Sequence, residues 1–120
     1  WHLTPIRQFD LLSNWRRGGV TLIGYAAHPM PPHLAQGAGQ SFMDVASIEN
    51  GLGTGLTLSN AISNMITTRM PEAHSVAKKS QLSGNIFRLN SPIAGLRNQL
   101  ISMAGQKVIS DFLQDLWLTA

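Results

Sequence analysis

The sequence predicts a mainly α-helical fold with one or two short strands, and three observations carry that expectation. From Gly37 onward apolar residues recur at the spacing of one face of a helix. Only Val20-Thr21-Leu22-Ile23 forms a continuous, β-branched apolar run, the pattern of a short buried strand. Glycine and proline gather between these patterns, as loop chemistry does.

The elements follow in order. Pro5 interrupts the opening segment, and Phe9, Leu11, Leu12 and Trp15 read as an edge strand and a turn. Arg16-Arg17-Gly18-Gly19 reads as a tight hairpin-like turn feeding Val20. The strand from Val20 to Ile23 stops at Gly24. A lone strand leaves both edges unpaired, so it is expected to join a sheet completed by upstream sequence. Pro29, Pro31 and Pro32 then stiffen the loop from His28 to His33. Gly37-Ala38-Gly39 opens a first helix carrying Phe42, Val45, Ile48 and Leu52, and Gly51, Gly53 and Gly55 break it. A second helix begins near Thr57 or Ser59, buries Leu58, Ala61, Ile62, Met65 and Ile66 as one stripe, and ends or kinks at Met70-Pro71. A third, from Glu72 to about Leu82, buries Ala73, Val76 and Ala77 and leaves Lys78 and Lys79 in solvent. After Gly84, Ser91 caps and Pro92 opens a fourth helix that buries Ile93, Leu96, Leu100 and Ala104 and closes at Gly105. The last carries Val108, Ile109, Phe112, Leu113, Leu116 and Trp117 on one face, which makes five helices in all.

A chain of 120 residues holds one domain at most, and 43% hydrophobic against 12% charged residues suits a folded chain. Net charge is +3 and the sequence pI is near 10, yet the basic residues are scattered and no aromatic residues interleave with them. That argues against a nucleic-acid partner. There is no cysteine, so no disulfide and no thiolate metal site. No apolar run reaches membrane-spanning length and no signal peptide is visible, so no membrane partner and a cytoplasmic location are expected.

The chemistry concentrates in Gly24 to Gln40, GYAAHPMPPHLAQGAGQ. Strand, rigid loop and glycine-opened helix together leave the N–H groups of the first helical turn facing the space above the loop. The helix dipole makes that space favourable for negative charge. His28 and His33 are separated by prolines and lack clustered carboxylates, so no metal is expected there.

This stretch, with Asp44 on the following helix, resembles the second flavin-binding motif of the FAD-dependent aromatic hydroxylases, the group A flavoprotein monooxygenases, in their salicylate hydroxylase-like branch. The family writes it as a strand, then glycine, aspartate, two alanines, histidine, proline and methionine, a proline-bearing loop and a glycine-rich helix start. The match holds along its length except at Tyr25, where the family has aspartate. Arg69-Met70-Pro71 and Ser80 resemble a helix pair of the same family, with Met65 and Ile66 where tyrosine and glutamate are usual.

The resemblance implies the C-terminal part of an α/β, Rossmann-like FAD-binding monooxygenase fold. Residues 1–56 would end the FAD-binding domain and residues 57–120 would form a C-terminal helical region. Its implied cofactor is FAD, with NAD(P)H as co-substrate, and its implied reaction transfers one oxygen atom to a small phenolic aromatic substrate. An N-terminal FAD-binding half would be a missing partner, and this chain alone is expected to be inactive. By the same resemblance Gly24, Tyr25, Pro31, Gln36, Gly37, Ala38 and Gly39 would contact the cofactor, and Pro31, Pro32 and Gln36 the substrate. None would be a catalytic acid or base. His28 would pack and hydrogen-bond, and Asp44 would anchor its helix. Tyr25 replaces a short ribityl acceptor with a bulky phenol and is expected to weaken flavin retention. Two other readings stand beside this one: a non-catalytic helical remnant that no longer binds FAD, and a helical interaction module with an exposed apolar face.

Overall fold

A computed structural model describes residues 9–90 and 93–118, and the side chains of residues 106, 109, 112, 113 and 115–118 are not among those described. Two short strands, β1 (Arg16–Arg17) and β2 (Val20–Thr21), form an antiparallel hairpin with Arg16 opposite Thr21 and Arg17 opposite Val20. Three helices follow: α1 (Gly37–Gly53), α2 (Leu58–Phe87) and α3 (Ile93–Leu118). Short 3-10 turns at Gly24–Ala26 and Pro32–Leu34 lie between β2 and α1. The chain divides into two compact units, Trp1–Gln81 and Leu82–Ala120.

In the first unit the hairpin turn falls at Gly18-Gly19, where Gly18 takes φ +59°. The segment from Phe9 to Leu12 is not a strand; Leu11 contributes instead by packing against the core. The expected buried strand from Val20 to Ile23 is shorter and more open than its composition suggests. It spans two residues, and Val20 is 66% and Ile23 43% exposed. With one partner strand and no sheet layer across it among the described residues, only Leu22 of that run packs against the core.

Two apolar clusters make the core. Trp15, Ala27, Met65 and Ala73 form one, with Leu22, Ile48, Ile66 and Met70 packed around it. Met30, Val76 and Ala77 form the other. The Leu22 N–H donates to the Trp15 carbonyl at 2.8 Å, which sets the indole beside the strand.

The burial of α1 differs from its apolar spacing. Phe42 is 74% exposed, Val45 and Leu52 are exposed too, and the buried positions are Gln40, Asp44 and Gly51. Gly51 is buried because α2 crosses there: a Cβ at this position would stand 3.0 Å from the Ala61 Cβ. The second and third expected helices are one. α2 runs through Pro71 and Gly84 to Phe87. Pro71 forfeits one backbone hydrogen bond, but its ring is exposed, and the buried residues Met65, Arg69, Ala73 and Ala77 hold the helix down on both sides. Ala73, Val76 and Ala77 are buried as expected, and Lys78 is exposed; Lys79 is half-buried and Leu58 is exposed.

In the second unit Arg97 Nη1 donates to the carbonyls of Ile86 and Phe87 at 3.1 and 3.2 Å, satisfying the open end of α2. Gly105 breaks α3 with φ 71° and ψ 164°, where a helix end was expected. Ile93, Leu96, Leu100 and Ala104 are exposed and not buried, since this unit has no second apolar layer among its described residues. Ser91 and Pro92, and the side chains of Ile109, Phe112, Leu113, Leu116 and Trp117, lie outside the described set; Val108 is exposed. No helix among the described residues is long and apolar enough to cross a membrane.

Candidate functional site

The loop between β2 and α1 is held by α1 and α2. Gly24 has φ +59°, and a Cβ there would come within 2.9 Å of Ser41 Oγ, so both conformation and crowding require glycine. The Gly24 N–H donates to Asp44 Oδ2 at 2.9 Å, and His28 Nε2 bonds the same oxygen at 2.8 Å. Asp44 and His28 are fully buried; His28 packs and hydrogen-bonds, and Asp44 ties its helix to the loop, a reach beyond the helix anchoring expected of it. Farther on, Ser80 Oγ of α2 donates to the Pro31 carbonyl at 2.6 Å.

Above this fixed loop lies a cleft of about 350 Å³. Five residues named from the sequence line it: Tyr25, Pro31, Pro32, Gly37 and Ala38. Met30, the methionine of the motif, completes the lining with Ala35 and Ser41, and none of the three was given a role from the sequence. Gly24 lies buried beneath, against Ser41, and Gln36 and Gly39 stand at the start of α1 without lining the cleft. His33 sits in a 3-10 turn away from the His28–Asp44 pair.

The start of α1 is open. The Gln36 side chain makes no capping bond, and Gln40 is the first residue whose N–H meets an intrahelical carbonyl, that of Gln36 at 2.9 Å. The N–H groups of Gly37, Ala38 and Gly39 therefore precede the helical ladder, at the positive end of its dipole. Neither Gly37 nor Gly39 is demanded by the chain's own packing: an added Cβ would find its nearest neighbours at 3.8 Å (Met30 Cγ) and 3.6 Å (Gln36 Oε1), ordinary contacts, and neither has a positive φ. Glycines of that kind suit a site where a ligand approaches the backbone. Gln36 is only 5% exposed, and its Nε2 has no partner among the described residues. Apolar walls with convergent donors at one end fit a planar ring system with an electron-rich edge. Tyr25, 57% exposed at the rim, is the one lining residue at odds with that fit, since it offers a neutral phenol.

Behind the cleft stands a buried polar cluster that sequence reasoning missed in part. Arg69 of α2 is 4% exposed; its Nε donates to Asp44 Oδ1 at 3.3 Å, its Nη2 to Gln40 Oε1 and its Nη1 to Glu72. The signal was present as Gln40 and Asp44, polar residues one helical turn apart on a face that the apolar pattern assigned to solvent. Trp15 packs against both histidine rings of this region, His28 at 5.4 Å and His74 at 6.1 Å between centroids. Burial, then Lys78, then His28, hold His74 below the ordinary imidazole value, against a smaller opposing hydrogen bond with the Leu12 backbone.

Comparison with known proteins gives a consistent set of likenesses. A family model described as FAD binding domain matches residues 5–82. The chain is 34% identical to a 3-amino-4-hydroxybenzoate 2-monooxygenase of Streptomyces platensis over 79% of its own length and 24% of the relative's. It is 32% identical to 3-hydroxybenzoate 6-hydroxylase 1 of Aquipseudomonas alcaligenes, over 95% of the chain and 28% of the relative. It is 33% identical to a salicylate hydroxylase of Pseudomonas putida, over 82% and 24%. The chain thus spans about a quarter of the length of these curated relatives. No solved structure matches it significantly.

Proposed function

The chain belongs to the FAD-binding domain family, with aromatic hydroxylases among its relatives, and on that premise we propose that it supplies the flavin-contact loop and helix of an FAD-dependent, NAD(P)H-using aromatic monooxygenase. FAD is the cofactor; when bound it would supply the redox chemistry by which electrons from NAD(P)H reduce molecular oxygen, one oxygen atom entering a phenolic ring and the other leaving as water. The residues of this chain bind and orient. The N–H groups of Gly37, Ala38 and Gly39 stabilise negative charge at the flavin's pyrimidine edge. Tyr25 would face its ribityl side with Gly24 buried beneath, Pro31 and Pro32 would form the wall shared with a small aromatic substrate, and Gln36, buried outside the cleft lining, would act from behind the helix start. Residues 1–56 are the end of the FAD-binding domain and residues 57–120 a C-terminal helical region. The rest of the Rossmann-like sheet comes from an N-terminal half, which the open edge and exposed side chains of β2 accommodate. The proposed setting is the cytoplasm, where NAD(P)H is at hand.

One observation carries this reading: a cleft between a rigid proline loop and an uncapped helix start, walled by the residues that the flavin motif names. Titrating FAD with the chain joined to the N-terminal half proposed above, and following flavin fluorescence, tests it. Quenching is expected, and Ala38→Trp, which fills the cleft from an exposed position, is expected to weaken binding at least about tenfold with unchanged circular dichroism, equivalent to about 1.4 kcal/mol. No quenching by the natural chain, or equal quenching by the variant, would sink the proposal.

A further inference from the structure

Arg69 does not line the cleft, yet it is tied to both of its walls. Its guanidinium meets α1 at two positions one turn apart, through Nε to Asp44 Oδ1 at 3.3 Å and Nη2 to Gln40 Oε1 at 2.5 Å. The other oxygen of Asp44 accepts from the Gly24 N–H at 2.9 Å and pairs with His28 Nε2 at 2.8 Å, where the loop begins. One side chain on α2 therefore fixes the rotation of α1's first turns and, through a single carboxylate, the start of the loop that faces them. Arg69, Asp44, Gln40 and His28 are all buried, and none reaches the cleft surface.

We propose that Arg69 is a positioning residue for the flavin site, acting through Asp44 and Gln40 to hold the helix N–H groups in register with the loop. This rests on the flavin reading above. Net stability is a poor reason for such a cluster, because a buried ion pair generally gains little over apolar residues that fill the same space. Geometry is a better one. A planar fork carries several donors in fixed directions, so it sets distance and angle together, whereas a lysine ammonium is a point charge on a flexible stem. A displacement of the N–H groups by a fraction of an ångström is enough to weaken hydrogen bonds to a rigid ring system.

Two variants, each of the chain joined to the N-terminal half proposed above, test the proposal: Arg69→Lys, and the pair Asp44→Asn with Arg69→Met, which removes both buried charges at once and leaves neither unpaired. Folding is followed by circular dichroism and thermal melting, flavin affinity by fluorescence quenching, and the setting of the ring by the absorbance fine structure of bound FAD. Both variants are expected to keep helical content and to bind FAD about tenfold more weakly, the cost of about one misdirected hydrogen bond, with blurred fine structure. A purely structural role would leave affinity and spectrum unchanged in whichever variant melts like the natural chain. A folded variant that binds FAD as tightly as the natural chain overturns the proposal, as does loss of the fold in both variants, which would make Arg69 a folding residue. Failure of the natural chain itself to bind FAD would instead sink the flavin reading and take this inference with it.

Discussion

Tyr25 and Asp44 show how far single residues decide the site. Asp44 is buried and uses both oxygens on three donors, so its role is mechanical and already occupied. Tyr25 is exposed at the cleft rim, at the position where the related motif places an aspartate, so it is free to change what the cleft accepts. A carboxylate is a stronger acceptor than a phenol, and a hydrogen bond to a charged group is worth about 1.5–3 kcal/mol. Tyr25→Asp is therefore expected to tighten FAD binding about tenfold or more, read as a lower dissociation constant in the fluorescence titration. An unchanged constant would show that the ribityl chain does not pass this side chain. The motif made His28, Asp44 and the glycines legible, because each occupies a position with a chemical reason. Arg69 was named through the family's helix pair, but without a role. Its partners lie far away in the chain, and arginine on a helix ordinarily faces solvent.

At the scale of the elements, helix existence was readable and helix ends were not. Gly53 and Gly55 do stop α1, with Gly55 at φ +87°, because glycine reaches that backbone region without strain. Pro71 and Gly84 carry the same punctuation yet fall inside α2, where packing of Ala73, Val76 and Ala77 outweighs local preference. The face of α1 was misread for a related reason. Apolar spacing marked Phe42 and Val45, whereas the buried face is set by hydrogen bonding at Gln40 and Asp44 and by a close crossing at Gly51. That crossing makes a prediction opposite to helix propensity. Alanine is the better helix former by about 1 kcal/mol, but at Gly51 its methyl group would press on the Ala61 Cβ at 3.0 Å and on the Ala61 backbone at 3.2 Å. Gly51→Ala is expected to lower stability by about 1–3 kcal/mol, the usual cost of overpacking, measured by urea denaturation; a gain in stability would mean that the two helices separate freely.

Across the whole molecule, the organising contacts are those that join α2 to the loop and α1, and all of them lie in the first unit. Ser80 reaches Pro31, Arg69 reaches Asp44, and Met65 and Ala73 close over Trp15. His74 stands at the edge of this assembly, its Nε2 buried beside Trp15 without a hydrogen-bond partner among the described residues. Its proton affinity is lowered first by burial, then by Lys78 and His28. Unfolding restores the ordinary value of 6.5, so between the lowered folded value and 6.5 the unfolded chain binds more protons than the folded one. The contribution of His74 is thus fully present above pH 6.5 and declines as pH falls toward the folded value, below which the loss is complete. Replacing it with glutamine, which cannot take up a proton, removes this dependence and keeps a polar group beside Trp15. His74→Gln is expected to show a flatter fall in melting temperature than the natural chain between about pH 7.5 and about pH 5. Parallel curves would show that the imidazole gains its proton as easily in the folded chain as in the unfolded one, and that burial beside Lys78 and His28 does not resist the charge.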